Sequence, residues 1–146
     1  MQYEKFKRDF IIRTKENLVK ITEQNGYEVT HLINSSIGLL IVPEQKFYNE
    51  INDTFVSDAT LNEIKSCVTI GNNISLKDLV RHLRNSISHS RIKFENDNER
   101  ISKIIFEDGK NNTTTFLAKI GVELYEKFVL EFSGNIVKKL CNTEVK

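Results

Sequence analysis

The sequence predicts a mainly α protein: a helical bundle with a small β insertion, about residues 91–120, between its last two long helices. Three observations lead there. Residues 2–24 contain neither Gly nor Pro and repeat apolar side chains at roughly helical spacing. Leu76, Leu79, Val80, Leu83 and Ile87 recur at i, i+3, i+4, i+7 and i+11, the clearest helical stripe in the chain. After His89 the period changes to that of strands, and helical spacing returns only from Gly121.

In the first helix Tyr3, Phe6, Phe10, Leu18 and Ile21 share an approximate face, and "NGY" at 25–27 stops it. A second helix spans Val29 to Val42, with Pro43 as its stop. Its second half is apolar nearly all round, which predicts burial on more than one side. His31, Asn34, Ser35 and Gly38 form its one small, polar stripe. Residues 44–70 are mixed, with helices around "EQKFYNEI" and "LNEIKSCV". "SLKD" at 75–78 reads as a capping box that starts the third main helix, with Ser75 as N-cap and Asp78 three residues on. "RIKFE" (91–95), "RISKIIFED" (100–108) and "TTTFLAKI" (113–120) read as strands, divided by "NDNE" and by the turn signal "DGKNN". The last helix runs from Gly121 to about Leu140, with Leu124, Phe128, Phe132, Ile136 and Leu140 along one side and Ser133-Gly134 as a weak point.

The length of 146 residues suits one domain, 1–146. Apolar residues make up 39% and charged residues 28%, a balance that fits neither a disordered chain nor a membrane protein. Lys plus Arg is 21 against 20 for Asp plus Glu, which argues against a non-specific polyanion binder and leaves room for a local basic site. Cys67 and Cys141 are too few for a metal cluster or a disulfide framework. The start "MQYEKFKRDF" has no signal-peptide core, and the longest apolar run, "IGLLIV", is far short of a membrane span. The expectation is a cytoplasmic protein with no membrane contact.

One stretch concentrates chemistry. Residues 81–89, "RHLRNSISH", hold two of the three histidines and two arginines. With the leucine stripe at zero on a helical wheel, Asn85 lies at roughly 180°, His89 at roughly 220° and His82 at roughly 240°. Arg81 lies at roughly 140° and Arg84 at roughly 80°, from where its long side chain reaches round. The wheel therefore points Asn85, His82 and His89 away from the core. A solvated polar face is the bland reading. Against it, no acid occurs between Asp78 and Glu95, so the face suits an anion, with phosphate foremost. No H-E-x-x-H, glycine-rich phosphate loop or nucleophile elbow is present, so the sequence implies neither a metal nor a cofactor. Ser86, Ser88 and Ser90 read mainly as solvated or capping residues.

"RNSISH" (84–89) has the form R-N-x-x-x-H and resembles the signature of the HEPN superfamily, the "higher eukaryotes and prokaryotes nucleotide-binding" domains. "FIIRTKENLVKI" and "THLINSSIGLLIVPE" also look like small stand-alone bacterial and plasmid HEPN nucleases. The resemblance implies an up-and-down helical bundle that forms a homodimer. In it the motif helices of two subunits meet at a two-fold axis, with the apolar second helix supplying neighbouring interface. It implies a metal-independent endoribonuclease, often a toxin or phage-defence effector, sometimes with an antitoxin or nucleotidyltransferase partner. Carried over residue by residue, Arg84, Asn85 and His89 are the catalytic positions. Arg81, His82 and Ser88 are accessory or substrate-binding candidates outside the motif. The expected reaction is attack of an RNA 2′-hydroxyl on the adjacent phosphorus, giving 2′,3′-cyclic phosphate and 5′-hydroxyl ends. A histidine with an unperturbed pKa near ~6.5 suits both proton transfers. A non-catalytic nucleotide-binding, nucleic-acid-binding or partner-subunit module is the alternative.

Overall fold

The computed structural model describes residues 12, 14, 16, 29–36, 39–40, 48–71, 74–97 and 100–138. Its described elements are α1 (Val29–Ser36), α2 (Asp58–Ser66), β1 (Val68–Ile70), α3 (Leu76–Ser88), β2 (Ile92–Asp97), β3 (Arg100–Lys110), β4 (Thr113–Gly121) and α4 (Val122–Ile136). Short 3-10 turns lie at Tyr48–Glu50 and Asp53–Phe55. Of the expected first helix only Ile12, Thr14 and Glu16 are described, and all three are helical. The rest of that helix, Pro43 and the first half of "EQKFYNEI" lie outside the described residues.

The expected mainly helical bundle with a small insertion is not what forms. Residues 92–121 supply three long strands, and β1 adds a fourth on the free side of β4, giving an antiparallel sheet in the order β1-β4-β3-β2. The sheet is a layer of the fold in its own right. The segment read as a helix around "LNEIKSCV" ends at Ser66, and its last apolar residue, Val68, turns into the sheet instead.

Alternation along the strands shows which face is covered. Ile104 and Phe106 of β3 and Phe116, Ala118 and Ile120 of β4 are buried, while Lys103 and Lys119 face solvent. α3 packs on β3, and α4 packs on β3 and β4. Leu76, Leu79, Val80 and Leu83 of α3 meet the same core as Tyr125, Phe128, Val129 and Phe132 of α4. Each such side chain contributes roughly 1.5–3 kcal/mol through its removal from water.

Local chemistry sets the ends of the elements. Ser75 caps α3, its hydroxyl accepting from the Asp78 N–H at 3.3 Å, and Asp53 accepts from the Leu76 N–H at 2.8 Å. The β3–β4 hairpin turns at Asn111 and Asn112, with φ of 52° and 65°. Positive φ at both central residues suits the strand twist, and Asn tolerates it. α4 runs unbroken through Ser133-Gly134 and ends at Ile136. On α1, Leu32 is fully buried, as are Leu39 and Leu40 beyond its end, so these apolar side chains are absorbed by the chain's own core. Ser36 donates to the Leu32 carbonyl at 3.0 Å, so the buried Tyr125 hydroxyl, 2.6 Å away, donates to Ser36.

Candidate active site

The C-terminal end of α3 is shaped by its own backbone. Ser90 takes the left-handed conformation, φ 56°, and donates its N–H to Ile87 O at 3.2 Å. Arg91 N–H reaches back to Ser86 O at 2.8 Å. These two bonds form a Schellman motif with Ser90 in the place glycine usually takes. It leaves His89 as the C-cap residue, with Ser88, His89 and Ser90 all exposed, and sends the chain directly into β2.

One turn and two turns back, the helix is tied to the sheet by a residue the motif does not contain. Asp108 of β3 is only 7% exposed. Its Oδ2 lies 2.8 Å from His82 Nδ1 and accepts from Asn85 Nδ2 at 3.0 Å, while Oδ1 accepts from the Gly109 N–H at 2.9 Å. Burial pushes this carboxyl up. The donors Asn85, His82 and Gly109 and the charge of His82 outweigh that and hold it below the usual carboxylate range. An ionised carboxylate only accepts, so His82 must carry its proton on Nδ1 when neutral. The imidazole also stacks on Phe116, 4.7 Å between centroids and 4° from parallel, which fixes its plane. Ser86 is fully buried beneath this pair, with its hydroxyl 2.8 Å from both His82 O and Glu107 O.

This corrects the wheel. His82 and Asn85 do not point away from their own fold; β3 covers that face and supplies the missing anion from residue 108. Ser86 is neither solvated nor a cap. His89 remains exposed, as the wheel has it. Arg84 is half-buried on the same helix. Arg81 pairs with Asp78 at 3.6 Å, and Ser88 faces solvent. The structure thus brings His82 and Asn85 together through Asp108, with His89 beyond them at the helix end. The side chain of His31 lies outside what is described.

Asp108 escaped the sequence reading, although a signal exists. Strand alternation places residue 108 on the same face as Ile104 and Phe106. An acid on a buried face requires donors, and the nearest polar helix face is that of α3.

Past His89, Ser90, Arg91, Lys93, Glu107, Thr113 and Thr114 contribute to an open groove of about 420 Å³, with two basic side chains against one acidic. Arg91 is steadied there by a bond from Nη1 to Gly109 O at 3.1 Å. Among the described residues no three His, Cys, Asp or Glu side chains gather to hold a metal ion, and no helix is long and apolar enough to cross a membrane.

Comparison with known proteins gives one result. A family model described as HEPN pEK499 p136 matches residues 1–143. No curated protein and no solved structure shows a significant match.

Proposed function

The chain belongs to the HEPN family described as HEPN pEK499 p136, and on that premise we propose that it is a metal-independent endoribonuclease working as a homodimer. The family is one of nucleotide-binding and nuclease-type modules. The observation that carries the finer reading is the state of the motif at the end of α3. Asn85 is anchored to a buried carboxylate, Arg84 shares its turn, and His89 stands exposed on the helix end. A scissile phosphate placed there meets a fixed polar side chain, a guanidinium and a titratable imidazole.

In this reaction the 2′-oxygen attacks phosphorus and the bond to the 5′-oxygen breaks. One base takes the 2′-hydroxyl proton, and one acid protonates the leaving oxygen. Arg84 stabilises the added charge on the phosphorane-like transition state through donors it holds in place. The uncovered end of α3 is where a second copy would dock, doubling Arg84, Asn85 and His89 around one substrate. Arg91 and Lys93 in the adjoining groove supply positive charge for the strand, which the net charge of +1 does not. The role that fits such an enzyme is a toxin or phage-defence effector, restrained by an antitoxin or a nucleotidyltransferase partner.

A non-catalytic RNA- or nucleotide-binding module is the competing reading. It has one observation in its favour: the Asn85 amide donates inward to Asp108 rather than outward. Incubating purified protein with RNA and analysing the fragment ends separates the two. Cyclic-phosphate ends that disappear in His89→Ala and Arg84→Ala, with both variants folded, support the nuclease. Intact RNA that nonetheless binds supports the module.

A further inference from the structure

We propose that His82 is the general base of this site and His89 its general acid, so that one chain carries both proton-transfer groups; this rests on the nuclease reading above. His82, Asn85 and His89 stand at i, i+3 and i+7, one strip of α3 roughly 10 Å long. The strip runs from the half-buried ring of His82 to the exposed ring of His89 at the helix end. Asp108 binds Nδ1, Phe116 holds the ring plane, and 13% of the His82 side chain remains open to solvent. Among the described residues Nε2 has no hydrogen-bond partner, so its lone pair is the one the fold leaves over. A buried carboxylate behind an imidazole fixes the tautomer with a bare outer nitrogen and stabilises the imidazolium that forms. Those are the requirements of a base. His89 stands exposed at the C-cap of α3, where it can reach a leaving oxygen.

The step balances within the chain. The 2′-hydroxyl proton passes to His82 Nε2 as the 2′-oxygen bonds to phosphorus. The bond from phosphorus to the 5′-oxygen breaks as His89 gives that oxygen a proton. His82 ends charged and His89 neutral, and solvent exchange restores both. Asp108 touches no reacting atom and is a positioning residue.

The bland account is that His82 merely tethers α3 to β3. A tether needs only a donor at the Nδ1 position, which asparagine provides. His82→Asn therefore preserves the bond to Asp108 and removes Nε2. Under the proposal this variant still folds, with its melting temperature lowered only by the lost stack on Phe116, and loses at least ~100-fold in RNA cleavage, the usual scale of a proton-transfer group. A substrate with a 5′-bridging sulfur in place of the leaving oxygen needs no acid. It should restore cleavage by His89→Ala and leave His82→Asn inactive. Nitrogen NMR of the neutral His82 ring should show a protonated Nδ1, lost in Asp108→Asn. A folded His82→Asn with near-wild-type cleavage overturns the proposal, as does rescue of His82→Asn by the sulfur substrate or a ring protonated on Nε2. Wild-type protein that cleaves no RNA instead overturns the nuclease reading beneath it, while the NMR result still decides the tautomer.

Discussion

Replacing Asp108 by alanine removes the acceptor of three donors at once: His82 Nδ1 at 2.8 Å, Asn85 Nδ2 at 3.0 Å and Gly109 N–H at 2.9 Å. A hydrogen bond to a charged acceptor contributes about 1.5–3 kcal/mol, and a buried donor left without an acceptor costs about 1–3 kcal/mol. Both side chains keep some exposure and recruit water, and the buried charge disappears with the carboxylate. The net expectation is a loss of about 3 kcal/mol at neutral pH. For 146 residues that is roughly 10 °C in melting temperature. The sign with pH follows from the lowered carboxyl. Its contribution is fully present above the ordinary Asp value near ~3.9 and is lost as pH falls through the lower folded-state value. The groups facing Asp108 are His82 and Asn85 from α3 and the Gly109 N–H, so the effect belongs to this cluster. Urea denaturation of both proteins at pH 7 and near pH 3 measures it. The wild-type advantage should shrink at the lower pH. A loss under about 0.5 kcal/mol at pH 7, or an equal gap at both pH values, refutes the role given to Asp108.

Three further outcomes are expected. Gly109→Ala drives a Cβ into the Thr113 carbonyl oxygen, so the hairpin bulge beside Asp108 must open; denaturation should show a loss of more than about 3 kcal/mol, on the scale of severe backbone and packing defects. Ser90→Gly relieves the left-handed conformation at the Schellman position, φ 56°, and should raise stability by up to about 1 kcal/mol in the same assay. Arg91→Ala and Lys93→Ala should weaken RNA binding without lowering the single-turnover cleavage rate at saturation, and each should flatten the salt dependence of log affinity by about 0.7.

Much of the β structure was legible, because it rests on local signals. "RIKFE", "RISKIIFED" and "TTTFLAKI" alternate and are separated by turn residues, and β2, β3 and β4 form there. β1 was not legible. Val68-Thr69-Ile70 follows directly on a helix, and so short a strand depends on its partner β4 rather than on intrinsic preference. That one strand helps turn an insertion into a sheet layer. The leucine stripe of α3 and its Ser75 cap were legible for the same local reason. The destination of the opposite face was not. A wheel describes one helix, and the carboxylate that meets His82 and Asn85 comes from β3, 26 and 23 residues away. The motif Arg84-Asn85-x-x-x-His89 was readable, whereas the device that holds its asparagine became visible only once the strand had a face.

RNA cleavage at the end of α3 by histidine-driven attack of the 2′-hydroxyl is the proposal on which the other expectations depend. The most direct measurement is the chemistry of fragment ends after RNA is incubated with purified wild-type protein and with folded His89→Ala, both in EDTA. The account predicts 2′,3′-cyclic phosphate and 5′-hydroxyl ends with the wild type and intact RNA with the variant. Full cleavage by His89→Ala, or strong inhibition of the wild type by EDTA, contradicts it.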